Sequence, residues 1–176
     1  MKRMTRAAQY SATAAAVALG IAACSDFAGR QNTYTCPAAT TVPDLQTIAR
    51  LGTSGQDDDI RTAGRIASVN STCDREDAGI ETFLSIDFAA LRTGPTIKHV
   101  DLPYFVAIAD STGNILGKQQ FTLGIDFPGE AATVRTTEKV TAHLPLKNPQ
   151  LGNVYTVIVG FQLSRNEIDF NRAHQQ

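Results

Sequence analysis

The sequence predicts a mainly β fold: an antiparallel immunoglobulin-like β-sandwich with a short N-terminal helix and a short C-terminal helix. Three observations lead there. After residue 60 the apolar period changes from that of a helix to two, the mark of strands with one dry face and one wet one. Two further runs are apolar on both sides and read as central strands. Turn-forming residues separate these runs at regular intervals, as in sandwiches built from short strands. Closure of the same strands into a barrel is the competing architecture.

Taken in order, Thr41-Val42-Pro43-Asp44 has the form of a helix start, with a Thr cap, an early Pro and an acid in the first turn. Leu45, Ile48 and Leu51 share one helical face and Gly52 is the stop. Residues 52–59 are a loop by composition. Residues 62–72 alternate poorly but read as a strand. Ile80, Thr82, Leu84, Ile86 and Phe88 then alternate with Glu81, Ser85 and Asp87, with Phe83 the exception. Phe121, Leu123, Ile125 and Phe127 alternate with Thr122, Gly124 and Asp126, and Val134, Val140, Ala142 and Leu144 oppose Thr133, Arg135, Lys139, Thr141 and His143. Residues 102–109 and 154–163 are the doubly apolar runs. Turns are expected at 93–95, 110–114, 127–129 and 147–149, and Gly113 should take a positive φ in the hairpin turn that begins at Asp110. Ser164 and Glu167 form a capping box that opens a helix from Arg165 to about Arg172, with Ile168 and Phe170 facing the sandwich.

The start of the chain bears on location. Lys2, Arg3 and Arg6 lead into a small and apolar run from Ala12 to Ala23, which has the layout of a secretory signal and is too short for a permanent span. Ile21-Ala22-Ala23-Cys24 resembles the bacterial lipobox, in which the cysteine is diacylated and becomes the first mature residue. The expected organisation is a signal over 1–23, a lipidated tether over 24–35, the sandwich over 36–172 and a tail over 173–176. The signal carries three of the 16 Lys and Arg residues and none of the 17 Asp and Glu residues, so the mature part has a net charge of −4. That charge gives no electrostatic reason to bind nucleic acid or an anionic bilayer face, so attachment to the membrane falls to the acyl chains.

Of the three cysteines, Cys24 is assigned to lipid, which leaves Cys36 and Cys73 in an oxidising compartment. A bridge between them closes a loop of about 38 residues, valued at about 4 kcal/mol by the chain-entropy account. Two cysteines without a nearby His cannot fill a zinc shell, and no metal or other cofactor is expected.

Candidate sites are few. Asp57, Asp58 and Asp59 could offer oxygens to a cation, yet they lack the alternate spacing that turns successive carboxylates toward one ion, and a solvated loop is the expectation. His99 and Asp101 share a face of an extended segment and could form a general-base pair. No nucleophile stands in a recognisable setting beside them, so a surface histidine is expected. His143 is expected to be exposed, and His174 to lie in the tail. Tyr34, beside Cys36, is expected to lie over the disulfide.

Thr35-Cys36-Pro37, Ser71-Thr72-Cys73, Leu102-Pro103-Tyr104-Phe105-Val106-Ala107, Gly113-Asn114-Ile115-Leu116 and the stretch from Gly160 to Glu167 resemble a group of uncharacterised lipoproteins of alphaproteobacteria. The resemblance runs from Cys36 to about Arg172. It implies lipidation and bacterial origin and transfers no catalytic residue. Ser25 is not the aspartate associated with inner-membrane retention, so the periplasmic leaflet of the outer membrane is favoured. The expected function is that of a non-enzymatic structural or protein-interaction module of the cell envelope, with sheet edges as docking sites for an envelope protein. The alternatives are a small envelope hydrolase using His99 and Asp101, and a cation- or ligand-binding module using Asp57–Asp59.

Overall fold

The computed structural model describes residues 34–52 and 60–174. They form eight strands, β1 (Ala38–Thr41), β2 (Thr47–Leu51), β3 (Ile60–Glu76), β4 (Gly79–Arg92), β5 (His99–Ala109), β6 (Ile115–Asp126), β7 (Thr133–Pro145) and β8 (Thr156–Phe161), followed by one helix, α1 (Arg165–Ala173). Two 3₁₀ turns, Pro43–Leu45 and Pro149–Val154, precede β2 and β8. The first sheet has the order β1-β8-β5-β6 and the second β2-β3-β4-β7. Two separate four-stranded sheets make this a β-sandwich, and the barrel alternative falls away.

The alternation read from the sequence becomes the partition between core and solvent. Ile66 of β3, Ile86, Phe88 and Ala90 of β4, Leu102, Tyr104 and Val106 of β5, Leu123 and Ile125 of β6, and Val157, Val159 and Phe161 of β8 fill the space between the sheets. Phe88 sits at the centre, with its ring 5.1 Å from that of Tyr104 and 5.9 Å from that of Phe161. Tyr104 is buried there and faces the carboxylate of Glu138; burial first and that charge second push its hydroxyl up to about 12.

The expected N-terminal helix is absent. Only Pro43–Leu45 makes a single 3₁₀ turn, and strands lie on both sides of it. Thr41 belongs to β1, where it pairs in parallel with Val159, and Val42 is extended with no side-chain cap. A segment this short is marginal as a helix, so sheet pairing prevails. The apolar spacing is used differently: Leu45 rests on Gly160 and Phe105 on the outer side of the first sheet, where a Cβ on residue 160 would stand 2.9 Å from Leu45, while Ile48 enters the core. Among the described residues the β1–β8 pair is also the one parallel pairing in sheets otherwise antiparallel.

Other expectations hold with shifted limits. The poorly alternating stretch is the longest strand, β3, with 17 residues and a register shift between Ile66 and Ser68 that spoils the period. In the β5–β6 turn Gly113 has φ +85°, and the Asp110 carboxylate accepts from the backbone N–H and hydroxyl of Thr112 and from the backbone N–H and amide of Asn114. Those donors hold its pKa down to about 2. The capping box is present, with Ser164 and Glu167 bonded reciprocally, and the helix continues to Ala173. His174 stacks on Phe170 at 4.3 Å, so the domain extends past the expected limit of 172. Asn171 is buried and donates to the carbonyls of Asp44 and Thr47, Arg172 pairs with Asp44, and Arg50 pairs with Glu167. These bonds tie α1 to the first 3₁₀ turn and β2.

Candidate functional site

The Cys36–Cys73 disulfide forms, with Cα atoms 5.7 Å apart. It joins the residue group leading into β1 of the first sheet to β3 of the second. Tyr34 reaches the Cys73 carbonyl at 3.5 Å, in keeping with its expected place over the bridge. Thr35, assigned to the tether by its polarity, donates to the Gln150 carbonyl at 2.8 Å and accepts from the backbone N–H of Asn153, so it belongs to the domain. Cys24, Asp57, Asp58 and Asp59 lie outside the described residues.

His99 and Asp101 are brought together, and the structure adds a third member. His99 Nδ1 lies 2.6 Å from Asp126 Oδ1 and its Nε2 3.1 Å from Asp101 Oδ1. The β5–β6 register places Asp126 opposite His99 and Gly124 opposite Asp101, and the missing side chain at 124 leaves room for the ring, 3.1 Å from where a Cβ would stand. Both ring nitrogens therefore face carboxylates, an arrangement that favours the imidazolium and leaves neither nitrogen free to take a substrate proton. The hydrogen bond to Asp126 and then that to Asp101 raise the His99 pKa.

The sign of the linkage follows from that direction. A raised folded-state pKa adds stability below the ordinary value of about 6.5, and this is lost as pH rises through the folded value. We expect NMR titration to find His99 above its ordinary value, and Asp126→Asn to lower it more than Asp101→Asn. The gap in urea midpoint between wild type and Asp126→Asn should be largest in mild acid and should vanish at alkaline pH. A gap that does not change with pH would contradict the clamp.

The concave surface lies elsewhere, on the outer face of the second sheet. A trough of about 650 Å³ runs from α1 across β2, β3 and β4 to Thr133 on β7. Ala49, Ala63, Ala89 and Leu91 form its floor and the stacked Phe170–His174 pair one wall. Small side chains at the paired positions Ala49 and Ala63 keep the floor low beside Leu91, which pairs with Ala63 from β4. Farther along the same face a hollow of about 420 Å³ surrounds Phe83, between Asn70 and Thr72 on β3 and Lys139 and Thr141 on β7. Between the two depressions Asp87 accepts from Ser68 and Thr137, both at 2.6 Å, in a rung across β3, β4 and β7. Those two hydroxyls lower the Asp87 pKa.

Phe83 and Leu91 are the apolar residues exposed in these hollows, at 38% and 40%. They stand eight positions apart on one strand, about 27 Å. The sequence held a signal for Phe83, the residue that broke the alternation of β4. It held little for the trough, since alanines on a wet face carry no message until the partner strands are known.

No known protein family matches the chain, and neither a curated protein nor a solved structure is similar to it.

Proposed function

We propose that this chain is a lipoprotein of the bacterial envelope, acylated on Cys24 and facing the periplasm, that works without catalysis by holding a partner protein on the outer face of its second sheet. Export is supported by the signal-like N-terminus and by the Cys36–Cys73 bridge, which belongs to an oxidising compartment. Ser25 after the acylated cysteine favours the outer membrane over the inner one.

The observation that carries the choice of surface is the pair of hollows around Phe83 and Leu91, separated by a polar rung. A span of about 27 Å suits a protein interface better than a small ligand, which one pocket would enclose. Exposed aromatic and aliphatic anchors set in depressions are also the form that binding energy takes at such interfaces. The long edges β6 and β7 are less suited to strand addition. Lys118 on β6 and Arg135, Lys139 and Pro145 on β7 are the charges and proline that guard an edge. Against the hydrolase reading stands His99, whose two nitrogens are already engaged.

The test places a photo-crosslinking residue at Ser85 or Ala89 on this face, or at Gln120 on the first sheet, in intact cells. A discrete adduct is expected from the first two positions and not from Gln120. It should disappear with Phe83→Ser and Leu91→Glu combined, two exposed sites whose change leaves the fold in place. Adducts from Gln120 alike, or adducts that survive the double substitution, would overturn the surface. Cys24→Ser should release folded protein from the membrane fraction; retention would overturn the anchor.

A further inference from the structure

We propose that the end of the domain where the chain enters docks on the bilayer itself, with Ile115, Leu116, Leu151 and Val154 entering the headgroup boundary of a zwitterionic phospholipid surface. The proposal rests on the reading that Cys24 is acylated, and it adds a fixed orientation to that anchor.

The six exposed large apolar side chains among the described residues are not scattered. Phe83 and Leu91 lie on the outer face of the second sheet, while the other four gather at one end: Ile115 and Leu116 (54% and 57% exposed) at the β5–β6 tip, Leu151 and Val154 (48% and 41%) on the second 3₁₀ turn. Ala109 pairs with Ile115 on one side and with Thr156 on the other, so the tip and the start of β8 are two strand spacings apart, about 10 Å. Single exposed apolar residues need no explanation, but a group at one end of a domain marks a contact surface.

The same end receives the chain. Thr35 is bonded to Gln150 and Asn153 of the 3₁₀ turn that carries Leu151 and Val154, and Cys36 is bridged to Cys73. From Cys24 to Thr35 the chain spans at most about 40 Å, fully extended. An acylated Cys24 therefore keeps these four side chains near the lipid. The tip holds its shape through the Asp110 hydrogen bonds, so Ile115 and Leu116 are presented on a fixed element. Asp74, Glu76 and Asp77 in and beside the β3–β4 turn, with Asp110 at the β5–β6 tip, outnumber Arg75 and the nearby Lys147 and make this end acidic on balance, which is why the surface proposed is zwitterionic and not anionic.

The chain contains no Trp, so a single one introduced is an unambiguous reporter. Acylated mature protein carrying Leu116→Trp is reconstituted in vesicles of phosphatidylethanolamine and phosphatidylcholine, with bromine placed at different depths. The control is Leu91→Trp, 12 residues along β4 from Gly79 and about 40 Å from this end. Bromines about 5–10 Å below the headgroups should quench the Leu116→Trp protein at least about twofold more than the control. Adding Ile115→Ser and Leu151→Ser should remove that excess while the protein still floats with the vesicles. Equal quenching at both positions in protein that floats would overturn the docking and leave the anchor standing. Failure to float with Cys24 intact would overturn the anchor. An excess that survives the two serines would overturn the assignment of the contact to these side chains.

Discussion

Replacing Cys36 and Cys73 together by alanine should lower the stability of the domain by about 4 kcal/mol, a shift of about 2 M in urea midpoint, with a steeper slope because the uncrosslinked denatured chain exposes more surface. Loop closure supplies the magnitude, since the bond joins positions 37 apart in sequence. Its position makes that figure expressible. The closed loop holds β1 of the first sheet and β2 and most of β3 of the second, so the bridge keeps the two sheets in register at the end where the chain enters. There β1 has only four residues to hold it, paired in parallel with β8. Alanine is the better replacement because Cys73 is buried and a serine hydroxyl there would add a polar group without a set partner. Treatment of wild-type protein with reductant should reproduce the shift. A change below about 0.5 M would show that β1 and Thr35 hold this end without the bridge.

Arg92→Lys should cost about 3 kcal/mol, although it keeps the charge. Arg92 closes the opposite end of β4 and is 3% exposed. Its Nε donates to the Ala131 carbonyl at 2.9 Å, Nη2 to that of Gly129 at 2.7 Å, and Nη1 to those of Pro95 and Ile97, while the guanidinium lies 5.2 Å from the centre of the Phe127 ring. One planar fork thus fixes the loops on both sides of His99 and Asp126. An ammonium group cannot reach both loops at once, and the acceptors it abandons are left unsatisfied in a buried place. Hydrogen exchange of residues 94–98 and 128–132 should rise before that of the core strands, and the His99 pKa should fall toward its ordinary value as the Asp126 side of the clamp loosens. A lysine variant within about 0.5 kcal/mol of wild type would show that the fork is dispensable.

Arg92 was missed in the sequence, though a signal was there. It continues the phase of Leu84, Ile86 and Phe88, and extending that period of two would have placed a charge on the dry face. What it bonds to was not legible, because its acceptors come from two loops distant in sequence. Asp126 was hidden in the same way: the sequence put Asp101 beside His99 by alternation, but the carboxylate at 2.6 Å arrives only through the β5–β6 register. Asn171 gave no signal, since its two acceptors are backbone carbonyls over 120 residues earlier.

By itself the sequence determined the strands after residue 60, the Asp110 turn and the Ser164 capping box, which rest on alternation, caps and turns that operate within a few residues. It also pointed to the Cys36–Cys73 pair, which forms. Tertiary structure decided the rest. Residues 41–51 carry helical spacing, yet they cross between sheets as strands, because Val159 offers a ladder to Thr41 and the core has a place for Ile48. The trough, the hollow at Phe83 and the apolar end exist only once strands far apart in the chain lie side by side, since pairing energy depends on neighbours in space that no local pattern records.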